Sequence, residues 1–84
     1  MRRVFLTQAE ARQLVSDRFH RVDLVTLSKR QCYERWTETW RRRDGAPATD
    51  ADVHAFELQP RGQEHYVRAD GPDIILNCAC DSGD

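Results

Sequence analysis

Apolar residues recur along this chain at two spacings, and the point where the spacing changes divides it. Ala11, Leu14, Val15 and Phe19 fall at i, i+3, i+4 and i+8, one stripe of a helix, with Arg12, Gln13, Asp17 and Arg18 mostly elsewhere. Thr7-Gln8-Ala9-Glu10 forms a capping box ahead of them: the threonine hydroxyl and the glutamate carboxylate can each take one backbone N–H of the first turn. A helix is predicted over about 8–20. Before it, Val4, Phe5 and Leu6 fit either a short N-terminal strand or an apolar lead-in.

The stretch of sharpest contrast is SKRQCYERWTETWRRR, residues 28–43, with both tryptophans and six of the thirteen basic residues. Cys32, Tyr33, Trp36 and Trp40 make a helical stripe, and Ser28 with Gln31 has the form of a second capping box. Asp44-Gly45 and Pro47 supply a stop, and three terminal arginines would oppose the helix dipole. A second helix is predicted over about 29–43. The segment between the two helices, RVDLVTL, is apolar without a decisive period.

Beyond the GAPATDAD linker the spacing falls to two. Alternation predicts strands at about 53–58, 64–69 and 73–80, separated by turns at Gln59–Gly62 and Asp70–Pro72. The assembled expectation is one α+β domain over 1–84, with two helices packed on a three-stranded antiparallel meander and the tryptophans in its core. Such a sheet keeps two open edges, which invite pairing with a second copy as a homodimer.

Charge adds a second division at the same place. Residues 1–43 hold eleven Lys/Arg against five Asp/Glu, a net +6, and residues 44–84 hold two against nine, a net −7. Either the basic half meets nucleic acid or an acidic protein, or the halves attract one another within one fold. On a helical wheel Glu34 and Glu38 sit between flanks of arginine, which favours an internally paired face over one that grips phosphate. The order of helix, connection, capped basic helix and hairpin is similar to a winged helix-turn-helix. The long connection, the missing third helix and the acidic hairpin depart from it.

Chemistry narrows the field further. Cys78 and Cys80 with Cys32, His20, His54 and His65 lack the paired spacing of a zinc site, so neither metal nor cofactor is expected. No nucleophile elbow, H-E-x-x-H or phosphate loop is present, and no catalytic residue is assigned. No apolar run is long enough to span a bilayer, and the odd cysteine count fits a reducing compartment, so the expected location is the host cytoplasm.

The function expected is a non-enzymatic protein-binding module acting on a larger protein or nucleoprotein complex. Phages and mobile elements encode inhibitors of this kind, anti-CRISPR proteins among them. Arg30, Arg35, Arg41, Arg42 and Arg43 would seize an acidic patch, or Asp50, Asp52, Glu57, Glu64 and Asp70 would imitate a phosphate backbone. The rival is a DNA-binding transcriptional regulator reading with helix 28–43.

Overall fold

The computed structural model of the chain describes residues 6–81. Their order is α1 (Gln8–Arg18), β1 (Phe19–Arg30), β2 (Tyr33–Arg42), α2 (Asp50–Glu57), β3 (Glu64–Asp70) and β4 (Asp73–Asp81). The N-terminal strand considered at Val4–Leu6 lies almost wholly outside the described residues. Among them, no helix is long and apolar enough to cross a membrane.

The α+β class stands, with two helices and one antiparallel sheet, but the sheet has four strands in the order β1-β2-β4-β3. Two predicted elements exchange identity. The helix expected over 29–43 is the turn and second strand of a hairpin, pairing Phe19–Arg30 with Tyr33–Arg42. The strand expected over 53–58 is most of α2, opened by a capping box of Thr49 with Asp52. Strands 64–69 and 73–80 form close to their predicted bounds, and α1 forms with its Thr7–Glu10 box intact, two residues shorter at its end.

Each half of the chain is therefore a helix followed by a hairpin, although no sequence repeat links the halves. The two hairpins join where β2 runs antiparallel to β4. All five ion pairs between described residues bridge the halves: Arg18–Asp52, Arg41–Asp73, Arg42–Asp44, Arg42–Asp52 and Arg61–Glu38. Within the fold these pairs tie the basic unit to the acidic unit.

Both helices lie on one face of the sheet. Alternate residues of β4, Ile74, Leu76 and Cys78, are buried there with Ala11 and Val15 of α1, Phe19, and Ala55 and Phe56 of α2. Phe56 sits at the centre, with Phe19 edge-on at 5.1 Å and Trp40 tilted at 5.6 Å. Trp36 and Trp40 pack against this cluster from β2 and are only partly buried, so the core centres on Phe56.

Two junctions fix the layers. Arg43 donates its backbone N–H to Arg18 O at 2.7 Å and its guanidinium to Ser16 O at 3.4 Å, satisfying carbonyls that the end of α1 leaves unpaired. Gly62 carries φ +143°, and a Cβ there would lie 2.8 Å from Ala79 O and 3.3 Å from the Trp36 ring. Only glycine lets the α2–β3 loop lie this close to the sheet.

Candidate functional site

Strand periodicity gives each residue of β2 a side. Trp36, Glu38, Trp40 and Arg42 face the helices, opposite Cys78, Leu76 and Ile74 of β4, while Tyr33, Arg35, Thr37, Thr39 and Arg41 face away. The covered side holds an unusual carboxylate. Glu38, 5% exposed, accepts the indole N–H of Trp36 at 2.8 Å and of Trp40 at 2.9 Å, and Arg61 donates to it at 3.0 Å. The Arg61 guanidinium also lies over the Trp40 ring at 5.3 Å and the Phe56 ring at 5.7 Å.

Burial pulls the Glu38 pKa upward, yet the two indole hydrogen bonds and the charges of Arg61 and Arg21 outweigh it, so the net value lies below the ordinary 4.5. A carboxylate held ionised by three donors is a poor proton acceptor at neutral pH. Beside it a cleft of about 240 Å³ opens between Arg21, Leu24, Thr26, Glu34 and Trp36. The Cys78 thiol, pushed up to about 11 by burial and then by the Glu38 charge, stays protonated at neutral pH. Among the described residues no three His, Cys, Asp or Glu side chains are placed to hold a metal. His20, His54 and His65 stand on β1, α2 and β3, and His65 is engaged with Glu57 O at 3.1 Å.

A depressed carboxylate contributes stability that is complete above its unfolded pKa and is lost as pH falls through its folded one. The urea midpoint is therefore expected to drop as pH falls below about 4.5, with a change in tryptophan emission, since both indoles bond this group. In Glu38→Gln part of that drop should be missing, and the variant should start about 1–3 kcal/mol less stable because an amide offers its own donors to these N–H groups. Equal pH profiles for the two proteins would rule Glu38 out as the acid-sensitive group.

Among the described residues, no helix or strand lies over the other side of the sheet. Tyr66 of β3 is 71% exposed and Tyr33 of β2 is 40% exposed, with Arg35 and the small Ala79 and Asn77 between them. Arg30, Tyr33 and Arg35 with Ser28 line a shallow neighbouring hollow. No ion pair to Arg30 or Arg35 forms among the described residues.

The predicted basic site thus divides. Arg41 pairs with Asp73 at 2.7 Å across the β2–β4 seam. Arg42 is buried, donating twice to Asp44 and once to Asp52, and Arg43 caps α1. Arg42 and Arg43 help build the fold and Arg41 is held in an exposed pair, so the expected terminal cluster of free arginine does not exist. Of the five predicted arginines, Arg30 and Arg35 stay exposed and make no ion pair among the described residues.

The acidic set also divides. Asp52 is 1% exposed and bound to Arg42 and Arg18. Asp50 and Glu57 belong to α2, whereas Glu64 and Asp70 lie on the far side of the sheet at opposite ends of β3. They make no continuous phosphate-like face. Tyr66 was not among the predicted contact residues, although an aromatic alternating with the core-facing His65 and Val67 would mark it as outward-facing. Residues 28–43 are strand and turn, so the helix expected to read DNA does not form.

No protein-family model, curated protein or solved structure matches the chain.

Proposed function

We propose that this chain is a non-enzymatic protein-binding module, docking on a larger partner through the uncovered sheet face at the Arg30, Tyr33, Arg35 and Tyr66 end. The observation that carries the reading is that face itself: two exposed tyrosines and two arginines that make no ion pair among the described residues, whereas Arg18, Arg41, Arg42, Arg43 and Arg61 are each bonded within the fold. Tyr and Arg are the residue types enriched where truncation costs an interface most. The partner surface that suits them is acidic, and opposite charge would speed encounter. An inhibitor of a host complex, of the type carried by phages or mobile elements and acting in the host cytoplasm, is the role that such an object fits.

The test is capture from host lysate, with and without nuclease, by the wild-type chain and by Arg30→Glu/Arg35→Glu. Both residues are exposed, so the variant should fold. If each contact is worth more than about 1 kcal/mol, the pair should weaken partner binding by about tenfold or more. Undiminished capture by the folded variant would move the site elsewhere. Binding to random duplex DNA that falls steeply with salt would instead mark a phosphate-binding protein.

A further inference from the structure

We infer that copies of this chain associate head to tail through the two outer strands of the described sheet, β3 of one molecule against β1 of the next. This goes beyond the docking face and rests on the two edge strands, with Asp23 and Arg68 as the deciding pair. β1 is a twelve-residue edge strand of which only Phe19 is buried, and Val22, Leu24, Val25 and Leu27 are 39–57% exposed. At the other edge, β3 leaves Tyr66 open.

The two edges match each other and not themselves. β1 carries Arg21, Lys29 and Arg30 against Asp23, whereas β3 carries Glu64 and Asp70 against Arg68. Two β1 strands, or two β3 strands, would meet with like net charge, which disfavours a two-fold dimer through either edge. A β3 strand meeting β1 brings opposite net charge together.

Register sharpens this. Four rows cross the sheet from β1 to β3: Asp23-Thr39-Ile75-Arg68, Leu24-Glu38-Leu76-Val67, Val25-Thr37-Asn77-Tyr66 and Thr26-Trp36-Cys78-His65. Because all neighbouring strands are antiparallel, β3 runs opposite to β1, and a second molecule set beside the first continues both the alternation and the rows. Arg68 then stands opposite Asp23 and Tyr66 opposite Val25 on the open face, while Val67 meets Leu24 on the covered face. Neither Asp23 nor Arg68 makes an ion pair among the described residues of a single molecule. The β1 register shifts between Arg21 and Asp23 and between Thr26 and Ser28 confine regular pairing to Asp23–Thr26. The association is accordingly weak, and it is open-ended because its two surfaces differ.

Sedimentation velocity at low salt, over a series reaching about 1 mM, should show the mean mass of the wild-type chain rising with concentration. Asp23→Arg alone and Arg68→Asp alone should each remain monomeric with unchanged circular dichroism. An equimolar mixture should associate again, because each variant then presents the charge that the other's edge requires, which unfolded variants would not do. Wild type that stays monomeric throughout, Arg68→Asp that associates like wild type, or a mixture of folded variants that stays monomeric would each overturn the inference. Loss of partner capture in Arg30→Glu/Arg35→Glu would leave it untouched.

Discussion

Phe56→Ala is expected to bring this chain to the edge of unfolding at room temperature. Phe56 is fully buried, and it is the point at which α2 touches Phe19 from the first hairpin and Trp40 from the central strand. Truncation removes the ring's transfer free energy and leaves a cavity that strands fixed by ladder hydrogen bonds cannot close, a cost of about 3–5 kcal/mol. A domain of this length has roughly 4–13 kcal/mol in total, from about 0.05–0.15 kcal/mol per residue. The same change unseats Arg61, whose guanidinium lies over Phe56 and bonds Glu38, so buried charge is perturbed along with packing. Urea denaturation followed by circular dichroism measures the loss. Phe56→Leu, which keeps most of the volume, should cost clearly less. If Phe56→Ala denatures within about 1 kcal/mol of wild type, the centre of the core lies elsewhere.

Why the first hairpin reads as a helix follows from its numbers. Trp36 and Trp40 are four apart, and four is close to one helical turn and also an even number, so the pair shares a face under either period. What distinguishes them is the content between: Tyr33, Trp36, Thr37, Thr39 and Trp40 are strand formers, and Glu38 takes the same side as both indoles. The Gln31–Cys32 turn gave no warning. Among the described residues positive φ occurs only at glycines, so the turn lacks the Asn-Gly type of signature that marks tight hairpins from sequence. The Ser28–Gln31 box pointed to a helix start, but strand pairing with β4 as well as β1 outweighed that local preference.

The α2 segment misleads in the opposite way. Eight residues span barely two turns, and Val53, Ala55, Phe56 and Leu58 fit alternation about as well as a stripe. Its true marker, Thr49 with Asp52 three residues on, sat inside what reads as a linker. Elements with strong local signals were legible: the Thr7–Glu10 box, the DIILNCAC strand and the Asp70-Gly71-Pro72 turn, where Gly71 takes the positive φ that such a turn uses. The site was half legible, because residue type named the arginines but only the sheet shows which of them have carboxylates at hand.

Asp52→Ala should be the second costly substitution, and it separates architecture from function within the run Arg41, Arg42 and Arg43. Its side chain is fully buried and serves two purposes at once. One oxygen accepts the Thr49 backbone N–H, closing the capping box of α2, and also accepts from Arg42 at 3.2 Å, while the other faces Arg18 at 3.6 Å. Loss of the cap at about 0.5–2 kcal/mol and of charge-assisted bonds at about 1.5–3 kcal/mol predicts a total of about 2–4 kcal/mol, allowing for partial compensation. Asp52→Asn keeps the shape and the cap and should cost less. In an Arg42→Leu background, Asp52→Ala should cost less than in wild type, since its main partner is already gone and a stranded buried carboxylate is being removed. Additive effects in that cycle would mean the pair is not coupled. Arg41→Leu, which breaks only an exposed pair with Asp73, should be nearly silent. Reduced partner binding by Arg42 variants would then track their melting, whereas the same loss in a fully folded Arg30→Glu/Arg35→Glu chain reports a contact.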